Sequence, residues 1–240
     1  TAAYFMRVSL FGLVLLAGLA TIACDLDTVE GGANQTLPLS FNPQGVDAAT
    51  VELQLGAGEL NIRGGGSQLA DGQLDYNIPA WKPVVHQTTA GHFARLRIEQ
   101  PETHGMPHNL KYTWNLQLSN TIPISLSVKC GAGQANLKLG DARLRDLGVE
   151  IGAGQIDLDL HGTPKEDFDV SLQGGVGQAT VYLPAGVGVR AEAHGGIGSI
   201  NVSGLEKRGG YYENDQYGRA KVNLRLKVHG GIGEIRIIGS

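Results

Sequence analysis

Apolar and polar residues alternate along most of the chain, and pairs of glycines interrupt the alternation at intervals. The segment 156–160, for example, places Ile, Leu and Leu at every second position with Asp between them. This period of two is typical of a strand that buries one face. The alternation also holds before the glycines, so each Gly-x-Gly step separates two strand segments. We expect a sharp bend there, because glycine accepts positive φ and lets neighbouring chains approach closely.

One motif of ten residues recurs along the chain without gaps. Its copies occupy residues 53–62, 128–137, 149–158, 172–181, 193–202 and 228–237. The second glycines of the middle copies, Gly133, Gly154, Gly177 and Gly198, are 21, 23 and 21 residues apart, and the step to Gly233 is 35. A period near 22 residues indicates repeats that stack on one another and share one apolar column. The sequence therefore predicts an all-β fold, a β-solenoid of about 21–23-residue Gly-x-Gly repeats; a β-sandwich is the alternative.

The chain divides into four predicted parts. Residues 1–23 form a signal peptide, 24–44 a polar tether, 45–127 an N-terminal β unit and 128–240 the Gly-x-Gly repeat solenoid. The signal begins with Met6-Arg7, continues as an apolar run to Ile22, and is too short for the ~20 residues that a spanning helix needs. Small residues lead into Cys24, which resembles the lipobox of a bacterial lipoprotein.

The lipobox resemblance implies that Cys24 is lipidated and anchors the protein on the extracytoplasmic side of a membrane of the cell envelope. The alternative is a plain signal peptide, with a Cys24–Cys130 disulfide in an oxidising compartment. Cys130 is the only other cysteine. Leu55 and Ile151 occupy its place in the sister copies, so we expect its side chain to be buried.

Several segments together resemble a known family. They are residues 113–124, the glycine steps 130–133 and 152–154, and the longer segments 174–184 and 195–204. In number and order they are similar to the toast-rack domain family, whose relatives are the C-terminal domain of LiaF-like regulators and the head-GIN adhesin-like proteins. The resemblance implies a β-solenoid-like fold at the bacterial surface, and it supplies no catalytic residues.

Composition and motifs exclude several classes of function. The net charge is -4, and no stripe of Lys and Arg could neutralise a run of phosphates, so nucleic acid is not an expected partner. No Gly-Lys-Ser/Thr occurs, which argues against a nucleotide loop. Ala179 and Ile200 stand where calcium β-rolls need Asp. His194 and His229 would stack in neighbouring copies but lack a third metal ligand. We therefore expect no enzyme activity and no cofactor.

An insertion between the last two copies is the predicted contact site for a partner. Its centre carries Tyr211, Tyr212 and Tyr217, and exposed tyrosines suit contacts with a protein or a glycan. Alternatively, these rings pack the insertion onto the column. The leading hypothesis is a non-enzymatic, envelope-anchored scaffold or adhesin-like protein that binds an envelope protein or cell-wall glycan. The rivals are a regulator of envelope-stress signalling and a small-ligand or metal module at residues 67–127, where His86, His92, His104 and His108 lie.

Overall fold

The fold consists almost entirely of strands. The structure is a computed structural model, and it describes residues 28–102 and 106–239. Within these ranges one 3-10 turn, Pro79–Trp81, joins two of the strands. The strands are β1 (Thr28–Glu30), β2 (Gln35–Phe41), β3 (Ala48–Gly66), β4 (Ala70–Tyr76), β5 (Val84–Ala90), β6 (Phe93–Glu99), β7 (Met106–His108), β8 (Tyr112–Ser119), β9 (Ile124–Lys138), β10 (Leu144–Asp159), β11 (Phe168–Tyr182), β12 (Gly188–Ser203), β13 (Glu206–Arg208), β14 (Tyr211–Glu213) and β15 (Asn223–Ile238).

Six long strands, one for each copy of the motif, form the body of the molecule. They are β3, β9, β10, β11, β15 and β12, and they pair in parallel with equivalent motif positions in register. Gly133, for example, lies between Gly58 and Gly154. The predicted all-β solenoid built on Gly-x-Gly repeats is thereby confirmed.

The order of the stack departs from the order of the chain at one place. The last copy, β15, lies between β11 and β12, so that Gly233 pairs with Gly177 on one side and Gly198 on the other. The chain therefore leaves a place open after β11, forms β12, and returns to fill the gap. The longer connection between β12 and β15, which contains β13 and β14, provides the length for this return.

Each long strand bends at its glycines into two arms, which we call the first arm and the second arm. At Gly177, φ is +142°, and a Cβ would lie 1.7 Å from the carbonyl oxygen of Gly154, so only glycine fits. A Cβ built on Gly195 would lie 3.4 Å from Cδ1 of Ile200. Five fully extended residues span about 16 Å, so this short distance means that the two arms face each other.

The two arms enclose one apolar column. In β3 the buried positions are Leu53 and Leu55 before the bend and Leu60 and Ile62 after it, so the inward side changes parity at the glycines. Cys130 occupies the same column in register between Leu55 and Ile151 and is 3% exposed, as expected from the sister copies.

The two ends of the stack differ. At the β3 end, the first arm pairs with β6 and then β5, and the second arm pairs with β8, β4 and β2. Tyr112 and Trp114 of β8 are buried in this cap, and the Tyr112 hydroxyl donates to the Trp81 carbonyl oxygen at 2.7 Å. At the other end, β14 pairs with β12 only at Arg190 and Ala191.

Two of the predicted part boundaries, at residues 44/45 and 127/128, fall within the described residues. The segment 24–44 contains β1 and β2, and Leu39 of β2 is buried in the core. The sheet is also continuous across the boundary between residues 127 and 128, because β3 and β9 pair along both arms. The predicted signal peptide, residues 1–23, and Cys24 lie outside the described residues.

Candidate interaction surfaces

The histidines do not converge on a metal site in the part of the chain that is described, where no cluster of three or more His, Cys, Asp and Glu side chains could hold an ion. The rings of His194 and His229 stack as predicted, with centroids 5.2 Å apart. Nε2 of His194 lies 2.8 Å from the Glu192 carboxylate, and this hydrogen bond lowers the pKa of Glu192. His86 and His92 each face a separate carboxylate, and His104 lies outside the described residues.

The tyrosines of the insertion fasten it to the first arm of β12. The rings of Tyr211 and Tyr217 lie 5.0 and 4.3 Å from the Arg190 guanidinium, in cation–π geometry. The Arg190 guanidinium also binds the Glu213 carboxylate, and this hydrogen bond raises the pKa of Arg190. Tyr212 packs against the apolar core. Tyr211 remains 42% exposed, and its role as a partner contact stays a prediction.

A regular polar surface covers the outside of the second arms, and we call it the second-arm face. It consists of outward side chains at the first, third and fifth positions after the second motif glycine, which form rows across the strands. The third-position row is Asn61, Asn136, Asp157, Thr180, Arg236 and Asn201, and the fifth-position row contains Arg63, Lys138, Asp159 and Tyr182. Neighbouring members of a row lie on adjacent strands and are therefore ~4.8 Å apart.

Hydrogen bonds along the third-position row link neighbouring amides and extend to Asn115 of β8. The Asn136 amide donates to the Asn61 side-chain oxygen at 2.9 Å, and the Asn61 amide donates to Asn115 of β8 at 3.0 Å. A shallow depression of about 880 Å³ follows these residues toward Asp157 and Tyr182. The side chains are therefore pre-ordered before any ligand arrives, which lowers the entropy cost of binding.

An aromatic platform stands beside the amide rows. The Tyr182 ring is 36% exposed, and its centroid lies 5.8 Å from that of the His161 ring. His161 is held in turn by Asp159, whose carboxylate lies 2.8 Å from Nδ1. Tyr182 is not among the site residues predicted from the sequence. The signal was present, because Tyr182 is the aromatic residue at an outward position that Arg, Lys or Asp occupies in the preceding copies.

An apolar row lies at the bend itself, on the outside. The residue between the glycines is Ala57, Ala132 or Ala153 in the first three copies, but it is Val176, Ile232 or Ile197 in the last three strands of the stack. These three aliphatic side chains are 53, 52 and 73% exposed. The apolar row therefore runs toward β12 and ends there.

A cavity of about 430 Å³ lies where the chain returns from one long strand to the next. Leu139, Leu160 and Phe168 contribute apolar lining, and Arg143 pairs with Glu166 at 3.0 Å at its wall. This cavity lies mainly outside residues 67–127, the region in which a small-ligand module was predicted.

Two known domain families match this chain. Residues 28–182 match the family described as the N-terminal domain of toast_rack, and this match covers more than half of the chain. The chain belongs to the toast-rack family. Residues 132–237 also match the C-terminal domain of LiaF, described as a cell wall-active antibiotics response protein. The resemblance read from the glycine motifs is thus confirmed.

The toast-rack chain is also similar to solved structures. A candidate cell adhesion protein from Clostridium sporogenes ATCC 15579 is 30% identical, with a TM-score of 0.80, over 87% of this chain and 100% of that one. A candidate adhesin from Parabacteroides distasonis ATCC 8503 is 12% identical, with a TM-score of 0.24, over 89% of this chain and 100% of that one. A search of curated proteins finds no match.

No helix within residues 28–102 and 106–239 is long and apolar enough to cross a membrane. Cys24, the predicted lipidation site, lies outside these ranges, so lipid anchoring stays a prediction, as does the Cys24–Cys130 disulfide.

Proposed function

We propose that this toast-rack protein is a non-enzymatic, adhesin-like interaction protein of the bacterial cell envelope, and that its second-arm face binds a cell-wall polysaccharide. The observation that carries the proposal is the ordered row of amides beside the Tyr182 platform. The match to a candidate cell adhesion protein and the LiaF-like region support an envelope role.

The chemistry of the second-arm face suits sugars. Asn and Gln amides offer both donors and acceptors, and so can pair with hydroxyls and N-acetyl groups, which also do both. Tyr182 is partly exposed and offers an apolar ring face on which the C–H face of a pyranose can stack, together with a hydroxyl that can form a hydrogen bond. Two strand spacings, roughly 9.5 Å, are close to the length of one disaccharide in an extended β-1,4-linked chain.

Co-sedimentation of the full chain with purified peptidoglycan sacculi tests this proposal. We expect Tyr182→Ala to weaken retention about tenfold, equivalent to 1.4 kcal/mol. Asn136→Ala should act in the same direction, because it removes the amide that donates to Asn61 and lies next to Asp157 in this row. Gln173→Ala is the matched control, since Gln173 is exposed on the first arm of β11, away from this face. Retention that is equal for all three variants would reject the second-arm face as the binding surface.

We propose further that lipidation of Cys24 holds the protein on the extracytoplasmic side of a membrane. The sequence context of Cys24 supports this anchor. Cys24→Ala should move the protein from the membrane fraction to the soluble fraction in cell fractionation. Unchanged fractionation of the variant would contradict it.

A second candidate function is regulation of envelope-stress signalling, which the LiaF-like match over residues 132–237 favours. Deletion of the gene should then change the transcription of envelope-stress genes after treatment with a cell-wall antibiotic. The same transcript levels with and without the gene would leave adhesion as the better proposal.

A further inference from the structure

The end of the stack at β12 has an unpaired edge. In the described part of the chain, β14 pairs with β12 only as far as Ala191, and β15 covers the opposite edge. The column is open here as a result. Val202 of β12 is only half-buried, whereas Ile237, its neighbour in β15, is fully buried.

This edge lacks the features that usually prevent strands from pairing with other molecules. Edge strands are commonly blunted by charges, by proline or by shortness. The outermost strand β13 has three residues, all charged and exposed, and the edge strand β2 carries Pro38 in its middle. From Ala193 to Ser203, in contrast, β12 contains no proline, Lys, Arg, Asp or Glu.

The free edge is complementary to a second copy of itself. It extends from Glu192 to Ser203, and its midpoint lies between Ile197 and Gly198. An antiparallel copy centred at this midpoint places Ala193 opposite Val202, both on the column side. Because side chains alternate along a strand, a shift by one residue would set column residues opposite outward ones.

The charges and the bend also agree with self-pairing. In the centred register, Glu192 faces Ser203 and His194 faces Asn201, so that no like charges oppose each other. A straight strand could follow only one arm of β12. A partner that follows both arms must bend at the same point, and β12 itself does so at Gly198.

We propose that two copies of the chain join end to end through antiparallel pairing of β12, around a two-fold axis between Ile197 and Gly198. The two columns then become one, and Ile200 of each copy is covered by the partner's first arm. The apolar rows at the bend also meet at Ile197. The assembly stops at two copies, because β5, β6, β8, β4 and β2 cap the other end and the contact uses the same surface on both chains.

Cysteine cross-linking of the full chain in mild detergent tests the register. In the proposed pairing, His194 and Asn201 of different copies have Cβ atoms about 4.5–5.5 Å apart, close to disulfide geometry. The double variant His194→Cys/Asn201→Cys should form a covalent dimer under mild oxidation, and so should a mixture of the two single variants. Each single variant alone should behave like the wild type. In the dimer the two copies of one position lie on the outer faces of different arms, so two identical cysteines do not meet.

A pair of lysine substitutions tests the interface independently. Val202→Lys places a charge on the column side, where a free chain can extend it to solvent but a dimer would bury it. Asn201→Lys adds the same charge one residue away on the outward side, and is the matched control. We expect the dimer dissociation constant from light scattering to rise at least tenfold for Val202→Lys and to stay near wild type for Asn201→Lys, with strand content in circular dichroism unchanged.

Three results would overturn the proposal. The first is a wild-type chain that is monomeric at every concentration measured. The second is a double cysteine variant that cross-links no more than its single variants, which remains decisive if Val202→Lys does not fold. The third is an equal dissociation constant for folded Val202→Lys and Asn201→Lys.

Discussion

Replacement of Gly177 by alanine tests the central feature of the fold, the close contact of consecutive bends. The new Cβ would lie 1.7 Å from the Gly154 carbonyl oxygen, so the strands must separate by at least 1.3 Å to restore 3.0 Å. Gly177 also has φ of +142°, and an unfavourable backbone conformation costs about 1–3 kcal/mol. Each lost hydrogen bond between the strands adds about 1 kcal/mol. We therefore expect the free energy of unfolding to fall by about 3–5 kcal/mol.

Two other glycines separate the contributions to this effect. Gly186 has φ of +73° but open space around its Cβ position, so Gly186→Ala should show the backbone cost alone, about 1–2 kcal/mol. Gly148 has neither a left-handed φ nor a close neighbour, and Gly148→Ala should be neutral or slightly stabilising. Urea unfolding, followed by the fluorescence of buried Trp81 and Trp114, measures all three variants. If Gly177→Ala and Gly186→Ala lost the same stability, the close contact would not limit the residue at the bend.

Two further predictions concern single side chains. Burial raises the pKa of the Cys130 thiol and reduces its thiolate fraction. A thiol reagent at mildly alkaline pH should therefore label Cys130 only after unfolding. Rapid labelling of the native protein would show that the column opens readily. Arg190→Ala removes the cation between Tyr211 and Tyr217 and the partner of Glu213, so limited proteolysis should cut residues 204–220 faster than in the wild type. Arg208→Ala is the control, because the Arg208 guanidinium binds Glu206 and Asp215, which both lie within the insertion, and its loss should accelerate cleavage less.

The glycine spacing and the alternation of apolar residues were sufficient to predict the repeat, the bend and the buried position of Cys130. The position of the last copy was not predictable in the same way. Residues 193–202 and 228–237 share the pattern His-Gly-Gly-Ile-Gly, and either could lie next to 172–181 with the same register. What differs is the connection between them, and local periodicity contains no information about where a long connection brings the chain back.

The candidate surfaces were likewise predictable only where a local sequence pattern defines them. The outward positions of the second arms were recognisable as polar from the alternation. The platform of Tyr182 and His161 was not, because His161 belongs to an irregular return segment whose path depends on the packed column. Likewise, Arg190 is more than twenty residues before Tyr211 and Tyr217 in the chain, so no local sequence pattern predicts their contact.

The place of β15 in the stack has a consequence for how the protein is made. During synthesis β11 and β12 emerge before β15, yet β15 supplies the neighbour that each of them lacks. A ribosome-bound chain that stops short of residue 223 thus carries two strands that cannot reach their final neighbours. The copies up to β11 can assemble one upon another as they appear, whereas β12 gains its neighbour in the stack only when β15 has been made. The final motif of the toast-rack chain therefore completes the stack. A prematurely terminated chain would expose strand edges to quality-control proteases.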